Sequence, residues 1–235
     1  MSVSSISRNL ANIRHHINQV ADQAGRLADE ITLVAVSKRR TLDEVKLAIE
    51  AGQKDFGENT IQDALTKIPE LEATGSRWHF IGHLQSKKAK LIPGNFHWIH
   101  SVDSLKLAQK ISHAMEDSSV DRPLNCLIQV NVAAEASKFG LNRDEVVPFI
   151  ERLLSLELRG LRWRGLMTIG VQGDDKQTRA AFIGLRHLLE QCQHEYALTD
   201  FNQLSMGMSN DYSIAIEEGA TMIRVGTAIF GQRQA

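Results

Sequence analysis

The strongest constraint on the fold is a regular alternation of short apolar segments with longer amphipathic ones. An opening helix is predicted from Ser7 to Ala24, with Leu10, Ile13, Ile17 and Val20 at helical spacing. About eight strand–helix units follow. The predicted strands are 31–38, 54–59, 77–83, 97–103, 124–132, 161–169, 201–207 and the start of 221–231. The predicted helices are 41–51, 61–71, 86–92, 104–116, 142–156, 176–195, 211–218 and a short turn within 226–231.

The length of the chain favours one closed barrel. A strand, a helix and two loops take roughly 24 residues, so eight units need about 190. The chain has 235 residues, and the opening helix uses most of the remainder. The prediction is an α/β protein with a single (β/α)₈ barrel domain over 1–235 and an extra N-terminal helix. An open, doubly wound sheet is the alternative, but it does not bring the last strand back beside the first.

Composition excludes several classes of function. The chain has 27 Lys+Arg and 28 Asp+Glu, a net charge of −1, so no basic field predicts binding of nucleic acid or of an anionic membrane. No apolar run approaches the roughly 20 residues of a membrane span. The amphipathic N-terminus does not resemble a secretory signal. Cys126 and Cys192 have no metal or redox spacing, and we expect a cytoplasmic location.

In a barrel of this kind the functional site lies where the strands end. The polar residues predicted at those ends are Lys38, Asn59, the segment 79–85, Asn131, Thr168, Ser205, Ser209, Arg224, Gly226 and Thr227. Barrel closure makes the first and last strands neighbours. We therefore expect Lys38 to lie close to Gly226 and Thr227, although they are far apart in the sequence.

The last two units resemble an anion site. Gly226 lets backbone N–H groups approach an anion, and the hydroxyls of Ser209 and Thr227 can donate hydrogen bonds. The segment 226–231 turns as a short helix whose N-terminus favours negative charge. A lysine beside a phosphate site is what pyridoxal phosphate (PLP) requires, since its aldehyde condenses with an amine.

Each of these residues also has a purely structural interpretation. Lys38 begins a basic cluster, SKRR, typical of a solvated face, and Ser209 could cap the following helix. Gly226 could only relieve crowding in a barrel strand. Arg224 lies in an apolar strand and needs an acceptor, for which a structural carboxylate such as Glu58 is as good a candidate as a ligand.

The histidines do not predict a metal site. His79 and His83, or His97 and His100, could form pairs, but no Cys, Asp or Glu completes a convincing ligand set near them. His79 alternates with aromatic residues and is better interpreted as a hydrogen-bonded core histidine. The prediction is therefore that the chain binds no metal.

A series of ordered motifs resembles one known family. They are LVAVSK, FGEN, WHFIGHLQSKK, LNCLIQVN, SKFG, RGLMTI and LSMGMSNDYSIAIEEGATMIRVGTAIFG. Together they resemble the PLP homeostasis proteins, which are related to the N-terminal domain of alanine racemase. The similarity extends from the opening helix to about Gly231, and the C-terminal stretch is its most diagnostic part.

The resemblance implies a barrel of the alanine-racemase type that holds PLP as a Schiff base on Lys38. It implies phosphate binding by Ser209, Gly226 and Thr227, with Ser205 and Met206 nearby, Arg224 facing the pyridine nitrogen and Asn59 lining the ring pocket. Family members are regarded as regulators or carriers in vitamin B6 and amino-acid homeostasis, so transient partners would be apo forms of PLP-dependent enzymes. A secondary role of Lys138 is left open.

The residues favour a binding protein over an enzyme. Arg224 cannot give up its proton, so a pyridine nitrogen opposite it stays unprotonated and the ring is a poor electron sink. In the related racemases a second domain of a partner subunit supplies a tyrosine, whereas the tyrosines here are Tyr196 and Tyr212. A monomer without turnover is expected. The alternatives are a racemase-like PLP enzyme and a phosphosugar-type barrel enzyme without PLP.

Overall fold

The computed structural model describes residues 3–133, 139–171 and 173–232 and forms a closed parallel barrel in the strand order β1 to β8. The strands are β1 (Thr32–Val36), β2 (Asp55–Glu58), β3 (Arg77–Phe80), β4 (Trp98–Val102), β5 (Leu124–Gln129), β6 (Leu161–Met167), β7 (Gln203–Ser205) and β8 (Met222–Val225). The α-helices are α1 (Val3–Gln23), α2 (Leu42–Glu50), α3 (Ile61–Leu65), α4 (Leu105–Glu116), α5 (Val146–Leu154), α6 (Asp175–Tyr196), α7 (Tyr212–Glu217) and α8 (Thr227–Phe230). The predicted barrel is confirmed.

Barrel closure depends on the pairing of the first and last strands. β1 and β8 are parallel, with Val34 opposite Arg224 and Ala35 opposite Val225. This pairing leaves no free sheet edge, so the open-sheet alternative is wrong. It also fixes which residues after β1 face which residues after β8.

Side-chain alternation divides each strand between an outer and an inner surface. Phe56 and Phe80 point outward into the main core beneath the helices, together with Ile223. Leu127 and Met222 belong to a small apolar cluster separate from that core. Since they alternate with outward-facing neighbours, they fill the interior of the barrel. The inner surface also carries the polar side chains of the site.

The N-terminal helix covers the outside of the barrel near its closure. Leu10, Ile13, Ile17 and Val20 on α1 are all buried, as their spacing predicted. The helix packs against α2, α7 and α8. No helix in the described part of the chain is long and apolar enough to cross a membrane.

Capping residues and prolines determine where some helices begin and end, and one predicted helix is shorter than expected. Thr41 and Glu44 form the predicted capping box at the start of α2. The helix predicted over 61–71 instead ends at Leu65, and a 3-10 helix follows over Pro69–Thr74. Proline lacks an N–H group and crowds the preceding turn, so Pro69 begins a new turn instead of continuing α3. The segment Ser86–Leu91 is also a 3-10 helix.

Candidate functional site

The structure brings Lys38 and the segment after β8 to the same mouth of the barrel. Lys38 follows β1 by one intervening residue, and Gly226 directly follows β8. A Cβ atom on Gly226 would lie 3.3 Å from Cβ of Val36, which shows how closely the two strand ends approach. Lys38 is half-buried, and by alternation it lies on the inner side of the barrel with Val34 and Val36.

The turn that carries Lys38 is held on both sides. Lys67 Nζ donates to the carbonyl oxygen of Ser37 at 2.9 Å, and the backbone N–H of Arg39 donates to Asp63 Oδ2 at 2.6 Å. Arg39 has a φ of 58°, an uncommon conformation for a side chain of this size. These contacts hold both neighbours of Lys38 and thereby fix the direction in which its side chain leaves the barrel wall.

Lys67 and Glu58 form a buried ion pair behind this turn. Lys67 Nζ lies 2.8 Å from Glu58 Oε1, and the two side chains are 2% and 0% exposed. Ser37 Oγ donates to the same carboxylate oxygen at 2.6 Å. Burial raises the pKa of Glu58 to about 7, although Lys67 acts in the opposite direction. Glu58 therefore pairs with Lys67 outside the barrel, and the suggested pairing of Glu58 with Arg224 is wrong.

Arg224 finds its acceptors inside the barrel. Its guanidinium donates to Ser205 Oγ at 2.6 Å and to the carbonyl oxygen of Thr168 at 2.8 Å. The residue is 5% exposed, and burial lowers its pKa to about 10, so it stays cationic at neutral pH. The predicted need for an acceptor is thus met by a hydroxyl and a carbonyl.

Ser209 and the start of α8 present hydrogen-bonding groups at the mouth. Ser209 Oγ accepts from the backbone N–H of Gly226 at 3.4 Å and of Ala228 at 3.5 Å. Both distances exceed the usual 2.9–3.0 Å for such bonds, so these N–H groups hold only weak partners. Ser209 does not cap α7, whose N-cap position is Asp211, so that structural alternative is wrong. Thr227 is exposed beside them.

The remaining predicted residues differ in how they face the interior. Asn59 directly follows β2 and is half-buried. Gly82 packs closely against the backbone of Asn59. A Cβ atom at position 82 would lie 2.0 Å from the Asn59 carbonyl oxygen, so only glycine fits there. Ser205 is buried inside the barrel. The Met206 side chain packs in the outer core instead, so we expect only its main chain to lie near a ligand.

Two site features escaped the sequence reasoning. Lys67 was not singled out, because its pairing with Glu58 depends on how α3 and the residues after it fold back onto β2. His100 was considered only for metal binding, yet its Nδ1 lies 2.8 Å from Ser205 Oγ. The alternation of His100 with outward-facing Ile99 could have placed it inside the barrel. The candidate Lys138 lies outside the described residues.

Relatives of known family match almost the whole chain. The family model described as "Alanine racemase, N-terminal domain" matches residues 8–234. The pyridoxal phosphate homeostasis protein of Pseudomonas aeruginosa is 42% identical over 232 residues, covering 98% of this chain and 97% of the relative. This chain belongs to the pyridoxal phosphate homeostasis protein family. The resemblance found in the sequence motifs is thereby confirmed.

Two solved structures share the fold of this chain at different levels of sequence identity. The structure of PipY from Synechococcus elongatus with PLP bound matches this homeostasis-family chain with a TM-score of 0.83 at 33% identity, covering 96% of this chain and 100% of that one. An alanine racemase of Clostridium difficile matches with a TM-score of 0.73 at 16% identity, covering 99% of this chain and 58% of the racemase. The second match shows the fold alone.

Proposed function

We propose that this protein binds pyridoxal 5′-phosphate at the barrel mouth and serves PLP homeostasis. The pairing of β1 with β8 carries the proposal, since it places an amine and a set of anion-binding groups at one opening. Lys38 would hold the cofactor covalently, while Ser209, Gly226 and Thr227 would bind its phosphate. The names of the curated relatives and the PLP-bound PipY structure support this assignment.

The residues present fit the proposed group. The N–H groups of Gly226 and Ala228 make only long contacts with Ser209 Oγ, so a phosphate oxygen could replace or join that acceptor. Arg224 presents a buried cation on the inner wall, and Asn59 lies at the end of another strand of the same mouth. Ser205 and Thr168 hold Arg224 in place. Together these residues would offer the cofactor one amine, a hydrogen-bond donor for its ring from Arg224, and several hydrogen-bond donors for its phosphate.

Arg224 determines what chemistry the site can support. When bound, PLP supplies an electrophilic aldehyde and a ring whose electron-withdrawing power is greatest with its nitrogen protonated. A guanidinium only donates hydrogen bonds and keeps its proton. Arg224 would therefore hold a ring nitrogen by donation without giving it a proton, which weakens the ring as an electron sink.

Neither tyrosine lies where a second acid–base group would be needed. Tyr212 Oη lies 2.5 Å from His16 Nδ1 on α1, and Tyr196 donates to the carbonyl of Val147 on α5. Both contacts are on the outer side of the barrel. We infer that the protein binds PLP with little turnover, and that racemase-like catalysis is the alternative.

A carrier role follows from the partly open mouth. Lys38 and Ser209 are only half-buried and Thr227 is exposed, so small amines and acceptor proteins can reach the site. We infer that the loaded protein transiently meets apo forms of PLP-dependent enzymes, and that it does so as a monomer. Reactivation of an apo-enzyme faster than with equimolar free PLP would support this role, and equal rates would contradict it. Sedimentation measures the oligomeric state.

The decisive experiment maps the site of attachment. The protein loaded with PLP is reduced with borohydride, digested and analysed by mass spectrometry. The expected result is a single pyridoxyl adduct on Lys38, absent in Lys38→Ala and unchanged in Lys87→Ala, which removes an exposed lysine from the 3-10 helix after β3. An adduct on another lysine, or a colourless protein that takes up no PLP, would overturn the proposal.

A second experiment separates binding from catalysis. The loaded protein is incubated in D₂O with a panel of amino acids, and deuterium at the α-carbon is measured. We expect no wash-in above that of free PLP. Wash-in that persists in the wild type and disappears in Lys38→Ala would favour the racemase-like alternative.

A further inference from the structure

A continuous hydrogen-bonded chain crosses the inside of the barrel and ends at Arg224. From Arg224 it runs to Ser205 Oγ at 2.6 Å, and from there to His100 Nδ1 at 2.8 Å. His100 Nε2 lies 2.9 Å from His79 Nδ1, and His79 Nε2 lies 3.0 Å from Asp55 Oδ1. Side chains from three other strands, β7, β4 and β3, therefore link Arg224 to a carboxylate on β2 at the opposite end of the barrel.

The direction of every hydrogen bond in this chain follows from its carboxylate end. Asp55 only accepts, so His79 carries its proton on Nε2 and donates to it. A neutral His79 then accepts at Nδ1, so His100 carries its proton on Nε2 and donates to His79. His100 Nδ1 in turn accepts, so Ser205 directs its proton there and keeps a lone pair for the Arg224 guanidinium, which only donates. All five groups are satisfied by one arrangement of protons.

The surroundings keep both histidines neutral. His79 and His100 are fully buried, and burial lowers the pKa of each, although Asp55 opposes this effect for His79. The Trp98 ring stacks on the His79 ring with centroids 5.7 Å apart and an interplanar angle of 1°. Neutral imidazoles each offer one donor and one acceptor, which is what the chain requires.

Asp55 is anchored at the other end of the barrel. Arg77 donates to Oδ1 at 2.7 Å and to Oδ2 at 2.6 Å, and its side chain is 52% exposed. Burial acts to raise the pKa of Asp55, but the bonds from His79 and Arg77 lower it overall, so it stays ionised. In the described ranges no carboxylate forms an ion pair with Arg224. Asp211 acts on Arg224 electrostatically without forming an ion pair, and the hydrogen-bonded chain adds a bonded connection to Asp55.

We propose that Asp55, His79 and His100 are positioning residues that act through Ser205 to orient the Arg224 guanidinium toward the barrel mouth. The chain does not conduct a proton, since it ends in a group that keeps its own. Its effect is to turn the Ser205 proton away from Arg224 and leave an oxygen lone pair for the guanidinium. The consequence for cofactor binding rests on the proposed function, in which Arg224 faces the ring nitrogen.

The first test determines which ring nitrogen of His79 and of His100 carries the proton, and it needs no cofactor. Long-range ¹H–¹⁵N spectra of histidine-labelled protein at pH 7 distinguish the two tautomers and the imidazolium, with signals assigned from His79→Gln and His100→Gln. We expect both rings as the neutral Nε2–H form. A ring in the Nδ1–H form, or a charged ring, would overturn the proposal whether or not the protein binds PLP.

The second test asks whether His100 acts through Arg224. His100→Phe keeps a buried ring but removes the acceptor for Ser205, so we expect PLP to bind about tenfold more weakly, as for one lost bond to a charged group. In an Arg224→Lys background the same substitution should change affinity less than about twofold, because the guanidinium is already absent. Equal losses in both backgrounds would show a merely structural role and contradict the proposal.

The tautomer test is independent of the proposed function, whereas the affinity test depends on it. A protein that takes up no PLP would refute the proposed function, while the wild-type tautomers would still decide the hydrogen-bonded chain. If His100→Phe does not fold, the tautomer measurement alone remains decisive. Expected tautomers combined with non-additive affinities would support both assignments.

Discussion

The hydroxyl of Thr227 is the most exposed of the groups proposed to hold the phosphate. It begins α8 beside the N–H groups that contact Ser209. Thr227→Val keeps the shape of the side chain and removes one hydrogen bond to a charged oxygen, so PLP binding should weaken by about 1–2 kcal/mol. Absorbance titration of PLP into the apo-protein measures this loss. Thr199→Val, on an exposed loop before β7, is the matched control.

Lys67 supports the site from behind, through the turn that carries Lys38. Lys67→Met keeps the apolar stem but removes the cation that favours the ionised Glu58 carboxylate, so Glu58, whose pKa is already about 7, stays protonated at neutral pH. The buried oxygens left without this donor should cost about 1–3 kcal/mol, and the loss grows above pH 7. Urea unfolding monitored by fluorescence should show a loss of this size. The bond to the Ser37 carbonyl is lost as well, so PLP attachment should also slow.

The double variant with Glu58→Gln separates charge from packing. Glu58→Gln should restore part of the stability lost in Lys67→Met, because glutamine is neutral in both the folded and the unfolded chain, whereas Glu58 in Lys67→Met must bind a proton to stay buried. If the two substitutions simply add, the ion pair does not account for the stability at this position.

At this scale the sequence predicts which residues are present at the mouth but not how they pair. Lys38, Arg224 and Gly226 were placed by strand order alone, and the structure puts them at one opening. The suggestion that Glu58 could be the acceptor of Arg224 was wrong, because a strand residue next to the site can face either the barrel interior or the helices. Which side it faces depends on register, and register is fixed by pairings across the whole barrel.

Among the helices, α2 has the clearest local start signal. Thr41 accepts from the backbone N–H of Glu44, and the Glu44 carboxylate accepts from the backbone N–H of Thr41 at 2.9 Å. Thr41→Ala should therefore destabilise the protein by about 1 kcal/mol in thermal or urea unfolding. Thr60→Ala is the matched control, since Thr60 caps α3 through a single bond of 3.4 Å. An equal or larger loss for Thr60→Ala would contradict the role of the reciprocal bond.

Element order was predictable, whereas element ends were less so. The alternation of apolar and amphipathic segments is repeated in every unit, so an error in one unit does not change the fold. The end of α3 depends on a single residue: Pro69 ends the helical continuity that the apolar spacing of 61–71 suggested. The 3-10 geometry of Ser86–Leu91 has no signal in the apolar pattern.

Across the whole molecule, the two ends of the barrel carry different tasks. The mouth holds Lys38 and the anion-binding groups, while the other end holds the Arg77–Asp55 pair. The interior between them is filled partly by apolar side chains such as Leu127 and Met222 and partly by the buried histidines. A barrel built in this way depends on those histidines staying uncharged.

Protonation of His97, a half-buried histidine that precedes β4, should destabilise the fold as the pH falls below about 6.5. Burial lowers the pKa of His97 to about 4, and its Nδ1 accepts from the backbone N–H of Trp78 at 3.1 Å. Below the unfolded value of about 6.5 the unfolded chain binds a proton at His97 that the folded protein does not, so the His97 contribution to stability is full above pH 6.5 and is lost toward pH 4. Glu58, with its raised pKa, acts in the opposite direction over part of this range, so the two effects are separated by comparing variants. His97→Gln retains an acceptor but cannot bind the proton. As the pH is lowered, the free energy of unfolding should therefore fall more steeply in the wild type than in His97→Gln, by up to about 1.4 kcal/mol for each pH unit. Urea unfolding at half-unit pH steps measures how the free energy of unfolding changes with pH in each protein. His187→Gln, at an exposed histidine, is the control. If the free energies of wild type and His97→Gln change in parallel with pH, His97 is not held neutral by the fold.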